Sequence, residues 1–104
     1  MSRMTAYAAL AEPHRRQILD LLRGGEQPVG ELVERLPLSQ PGVSKHLKVL
    51  REAGLVAARA EGKQRFYVLE PQPLAEVDAW LEPYRALWSS RLDALERHLE
   101  KNPE

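Results

Sequence analysis

Cysteine does not occur in this 104-residue chain, which excludes disulfides, thiolate metal sites and cysteine-based redox sensing together. Long apolar runs are missing as well, and none approaches the ~20 residues of a membrane span. The segment Met1 to Leu10 carries one arginine and no following apolar stretch, unlike a secretory leader. A soluble protein that stays in the cytoplasm is expected. No Ser/His/Asp set, glycine-rich phosphate loop or carboxylate pair stands out, and His14, His46 and His98 belong to separate elements. No enzyme is therefore expected, no cofactor is implied and no metal ligands are assigned.

Net charge is also missing, since 15 basic side chains match 15 acidic ones, but the charges are unevenly placed. Residues 35–67 hold seven basic residues against Glu52 and Glu61 alone, whereas residues 68–104 hold four against eight. A basic middle between acidic flanks suits one face that meets a polyanion. The length allows a single domain over residues 1–104, and so small a domain buries only a modest fraction of its surface on folding, so a second chain is expected to complete it.

Hydrophobic spacing and punctuation predict a mainly α domain with one small β-hairpin. A first helix covers about Thr5 to Leu10, and Pro13 fits the first turn of a second, with Glu12 beside its positive end. That helix carries Ile18, Leu19, Leu21 and Leu22 and stops at Gly24-Gly25. Val29, Leu32, Val33 and Leu36 form the buried stripe of a third, ended by Pro37. Ser39 is a good N-cap for a fourth, with Val43, Leu47 and Leu50 inward and Gly54 as its stop. Residues 29–53 thus form a candidate helix-turn-helix. Residues 55–69 read as two strands around Glu61-Gly62-Lys63, a wing. Helical spacing returns over about 73–101, with a kink or break expected before Pro83.

Four blocks resemble the ArsR/SmtB family of bacterial winged helix-turn-helix regulators. They are Ala9-Leu10-Ala11-Glu12-Pro13-His14-Arg15-Arg16-Gln17-Ile18-Leu19, Leu38 to Leu47, Leu50 to Val56, and Gly62 to Leu69. The resemblance implies a homodimeric transcription repressor on inverted-repeat operator DNA that leaves the DNA when an effector binds, with terminal helices that dimerise. There are departures from the family pattern. Val29-Gly30-Glu31-Leu32-Val33 offers no cysteine pair, and Asp78 is followed by Trp80 rather than histidine. Gly42 stands where Thr or Ala is more usual. Release by a thiophilic metal or by oxidation is therefore not expected. Zinc held by His98 with Asp93 or Glu96 would need an awkward spacing for one helical face.

At about 100° per residue, Gln40, Ser44, Lys48 and Arg51 fall opposite the buried stripe of the fourth helix, flanked by Pro41 and Lys45. Gln40 and Ser44 are the candidate base readers, and Lys45, Lys48 and Arg51 the candidate phosphate contacts. Ser39 serves as cap, phosphate contact or both. For His46, DNA contact and half-buried packing remain equal alternatives. Arg59, Lys63 and Arg65 crowd around Gly62 in the expected wing tip. Arg15 and Arg16 could reach a phosphate but oppose their own helix dipole. The candidate dimer interface comprises Tyr7, Leu74, Val77, Trp80, Leu81, Tyr84, Leu87, Trp88, Leu92, Leu95 and Leu99. Competing readings are a winged helix that docks protein, and a metal-responsive repressor with oxygen and histidine ligands.

Overall fold

A computed structural model describes residues 5–101; residues 1–4, which include part of the segment read for a leader, and 102–104 lie outside it. Helix α1 (Ala6–Leu10) starts where the Thr5 hydroxyl accepts the Ala8 amide at 3.1 Å. Helix α2 (Pro13–Leu22) starts the same way, with the Glu12 carboxylate accepting the Arg15 amide at 3.0 Å and Pro13 at a position where its missing N–H costs nothing. A two-residue strand β1 (Gln27–Pro28) precedes α3 (Val29–Arg35). Helix α4 (Gln40–Glu52) is capped by Ser39, whose Oγ accepts the Gly42 amide at 3.2 Å.

The exit of α4 is set by Gly54, which adopts φ 76°. Its amide donates to the Arg51 carbonyl (3.0 Å) and the Leu55 amide donates to the Leu50 carbonyl (2.9 Å). This crossed pair satisfies the last carbonyls and brings Leu50 and Leu55, both fully buried, onto one another. A side chain at position 54 would have to adopt a left-handed backbone. Strands β2 (Val56–Glu61) and β3 (Gln64–Leu69) follow as an antiparallel hairpin from Val56↔Leu69 to Glu61↔Gln64. Gly62, at φ 61°, is the first residue of the two-residue turn, which favours glycine.

The sheet order is β1-β3-β2, so the wing has three strands where two were expected. Gln27 and Pro28 pair with Tyr67 and Phe66 of β3. Two residues are too short to show alternation, and the ladder that defines β1 exists only once β3 lies beside it.

Ile18 and Leu22 of α2, Leu32 of α3, and Val43, Leu47 and Leu50 of α4 meet Leu55, Val56 and Tyr67 in a single core, with Ala6 and Ala9 of α1 at its edge. Helix α5 (Gln72–Lys101) is one continuous helix of 30 residues, about 45 Å long at 1.5 Å per residue. The break expected before Pro83 does not occur, nor do separate terminal helices. Proline's fixed φ is helical, and Pro83 is exposed, so the carbonyl deprived of its partner is on a wet helix. Arg85 braces that turn, pairing with the Asp78 and Glu82 carboxylates and donating to the Asp78 carbonyl at 3.1 Å.

Candidate nucleic-acid interface

Burial divides α4 as its sequence spacing requires. Val43, Leu47 and Leu50 are buried, while Gln40, Pro41, Ser44, Lys45, Lys48 and Arg51 are exposed. The exposed row opens with Gln40 and Ser44 near the N-terminus and ends with the cations Lys48 and Arg51. That order matches how a helix enters the major groove, with short polar side chains at its deep end and cations flanking the phosphates. Ser39 is also exposed and holds the cap described above. A methyl group added at Gly42 would lie 3.4 Å from Ser39 Oγ and 3.7 Å from Leu38 Cβ, so no steric demand in this chain calls for glycine there.

His46 leaves this row. Its side chain is 18% exposed, and Nε2 lies 3.9 Å from Glu12 Oε2 at the start of α2, so the ring packs between helices. Burial lowers its pKa below the usual 6.5, against the opposing pull of Glu12, and Arg15, His14 and Lys45 add to the depression. His14 stands on the other side of the same carboxylate, Nδ1 3.1 Å from Glu12 Oε1. Burial acts to raise the Glu12 pKa, but the Arg15 amide and the two histidines together hold it below 4.5. The fold thus brings His46 of α4 to Glu12 and His14 at the start of α2.

The wing separates the three cations expected at its tip. Paired residues of an antiparallel hairpin share a face. Arg59, opposite Phe66, therefore lies on one face, and Arg65, opposite Ala60, on the other with Tyr67. Arg59 Nε donates to Glu26 Oε2 at 2.8 Å, Nη1 donates to Glu61 Oε2 at 2.7 Å, and the guanidinium sits 4.7 Å from the Phe66 ring centre. These carboxylates, Glu26 first, raise its pKa further. Lys63, in the turn, and Arg65 are exposed.

Arg15 and Arg16 have a role that their own helix did not suggest. Arg15 donates to the carbonyls of Ala9 (2.7 Å) and Ala8 (3.2 Å), and Arg16 to that of Leu10 (2.7 Å). Helix α1 is too short to satisfy its last carbonyls, and its negative end lies beside the start of α2. Cations badly placed for α2 are thereby well placed for α1. The signal was available in the sequence as two arginines following a five-residue helix across a tight link.

The residues expected at a dimer interface fall into two groups. Leu74 and Val77 pack against the core of their own subunit, and Leu81 is half-buried. Beyond them Trp80, Tyr84, Leu87, Trp88, Leu92, Leu95 and Leu99 are all exposed, Leu92 most at 64%. Tyr7 of α1 is exposed too; it meets Trp80 edge-on at 5.9 Å, and Trp80 meets Tyr84 at 5.1 Å.

A helix-turn-helix with an exposed polar and basic second helix, followed by a β-wing, defines a winged-helix DNA-binding protein. The chain belongs to the ArsR/SmtB family, and the family model described as "Bacterial regulatory protein, arsR family" matches residues 12–58. The chain is 33% identical to the transcriptional repressor SdpR of Bacillus subtilis over 75 residues, 72% of this chain and 83% of that protein. It is 44% identical to the transcriptional activator HlyU of Vibrio cholerae over 80 residues, 77% of this chain and 71% of that one. Among solved structures, one titled a possible transcriptional regulator for arsenical resistance superposes with a TM-score of 0.68 at 45% identity, covering 73% of this chain and 79% of that one. The protein is a DNA-binding transcriptional regulator. Among the described residues no helix is long and apolar enough to cross a membrane.

Proposed function

We propose that two copies of this chain bind an inverted-repeat operator and repress transcription by occupying it. The observation that carries this reading is the face of α5, where Trp88, Leu92, Leu95 and Leu99 stand more than half exposed although the rest of the domain has a closed core. A contiguous apolar row of this size on a soluble regulator calls for a partner surface, and a second α5 supplies the same side chains by symmetry. The exposed aromatic group of Tyr7, Trp80 and Tyr84 extends that surface toward α1.

Two α4 helices related by a two-fold axis then enter successive major grooves about 34 Å apart. Gln40 is assigned to a base edge, since its amide can pair with adenine through two hydrogen bonds, and Ser44 to a less selective contact. Pro41, Lys45, Lys48 and Arg51, with Lys63 and Arg65 of the wing, are assigned to the sugar–phosphate backbone. Arg59, already held by two carboxylates, is assigned to fastening the wing, and His46 to packing against α2.

Sedimentation of the full chain and of Leu92→Asp/Leu95→Asp, whose replaced side chains touch no core of their own, tests the reading alongside gel shifts on an inverted repeat upstream of the gene. The wild type should sediment as a dimer, with Trp88 fluorescence shifting to the red on dilution. The double variant should be a folded monomer that has lost tight binding to the full repeat, and a promoter–reporter fusion should be derepressed by it. A wild-type monomer that binds the full repeat tightly would overturn the proposal.

A further inference from the structure

Where the first turn of α2 meets α4, three ligand-type side chains converge. Glu12 Oε1 is 3.1 Å from His14 Nδ1 and Glu12 Oε2 is 3.9 Å from His46 Nε2. One donor atom from each of the three lies within 4.8 Å of the others, and the imidazole centres are 6.0 Å apart. All three residues are partly buried, so they are neither solvated surface groups nor core.

We propose that Glu12, His14 and His46 form a site for one divalent metal ion of the zinc class, joining the N-terminus of α2 to the recognition helix. Two imidazoles and a carboxylate are the donors such ions select when no thiolate is present, and three protein ligands leave one position open. Bonds of about 2.0–2.2 Å put tetrahedral ligands roughly 3.4 Å apart. The two short separations, 3.1 Å to Oε1 and 3.9 Å to Oε2, are of that order but run to different oxygens of Glu12, so a small adjustment must bring one oxygen to both imidazoles, within the 4.8 Å that already contains one donor from each residue. The His14 side chain, 37% exposed, is free to turn and close the third.

The present partners do not account for His46. Its Nδ1 is buried with no hydrogen-bond partner among the described residues, and 3.9 Å from Nε2 to Glu12 is too long for a hydrogen bond. Nε2 is therefore open to coordination, which would give the ring one strong interaction, while the buried Nδ1 keeps no partner and lowers the affinity of the site. The carboxylate is already aimed, because its Oε2 accepts the Arg15 amide. The Arg15 guanidinium is turned away onto the carbonyls of α1 and does not occupy the site. The positive end of α2 opposes a dication and limits the affinity.

Calorimetric titration of the full chain with zinc chloride, in buffer free of chelators and phosphate, should show one ion per chain. His14→Gln and Glu12→Gln should each weaken uptake by at least about tenfold, and His98→Gln should leave it unchanged. Cobalt(II) should give the intense visible bands of a tetrahedral site in the wild type and lose them in His14→Gln. The metal-free melting curve of His14→Gln should match the wild type, which separates ligand loss from unfolding. Absence of stoichiometric uptake, or uptake undiminished in either His14→Gln or Glu12→Gln, would refute the site.

Discussion

Arg59 and Glu26 grip each other across the root of the wing, with Arg59 Nε donating to one carboxylate oxygen at 2.8 Å and Nη2 to the other at 2.5 Å. The two-point contact ties β2 to the residue ahead of β1, the strand that joins the far edge of the sheet through β3. An arginine in a DNA-binding wing is ordinarily counted as a phosphate contact. This one has its charge answered within the subunit.

Salt dependence distinguishes the two roles. Lys63→Ala should flatten the slope of log K against log salt by about 1 for each phosphate no longer neutralised, or ~2 for a symmetric dimer. Arg59→Ala should leave the slope unchanged. If both variants flatten it equally, Arg59 belongs at the phosphate backbone.

The same pair carries a pH signature. The Arg59 hydrogen bond is the main reason that the Glu26 pKa lies below its ordinary 4.5. A carboxylate whose folded pKa is lower than its unfolded one stabilises the fold above the unfolded value, and that contribution is lost as pH falls through the folded value. Melting temperature should therefore fall as the medium is acidified from 4.5 downward, and less steeply in Glu26→Gln. Parallel acid limbs for the two proteins would show that the pair contributes nothing.

Gln40 and Lys48 should fail in different ways. Gln40→Ala should cost ~1–3 kcal/mol at the cognate site and relax preference at one base pair of each half-site. Lys48→Ala should weaken binding to cognate and random DNA alike. Equal losses on random DNA for Gln40→Ala would remove it from the base-reading role.

Gly42 offers a gain of stability. It lies in the first turn of α4, its replacement by alanine meets only ordinary contacts at 3.4 and 3.7 Å, and glycine costs a helix up to roughly 1 kcal/mol relative to alanine, less near the end than in the interior. Gly42→Ala should raise the urea midpoint, by a stability gain of up to about 1 kcal/mol, without changing the denaturant slope. A lowered midpoint would show that the added methyl is not accommodated beside Ser39.

The helices were legible from the chain because each is specified locally. Thr5, Glu12 and Ser39 are caps that act within three residues, Pro13 and Gly54 are boundary residues by their own backbone limits, and Val43, Leu47 and Leu50 lie on one face whatever they pack against. The exposed row of α4 follows from the same periodicity, so its candidate DNA contacts could be named in advance. The family blocks were legible for a related reason: they combine those caps and stripes in a fixed order.

What the tertiary structure alone decided was which distant groups meet. Strand β1 exists because β3 supplies its ladder; Arg59 meets Glu26 because that ladder sets residue 26 on the far side of β3, within reach of a side chain that crosses Phe66; Arg15 and Arg16 serve α1 because the chain doubles back there. His46 faces Glu12 and His14 because α2 and α4 cross at that turn. The unbroken course of α5 through Pro83 belongs with these, since Arg85, Asp78 and Glu82 brace the turn and Pro83 lies on an exposed part of the helix. Caps, breaks and hydrophobic stripes act over a few residues and can be read in one dimension. Hydrogen bonds and ion pairs between elements depend on angles of packing that no single segment contains, and here those contacts set the roles of the arginines and histidines.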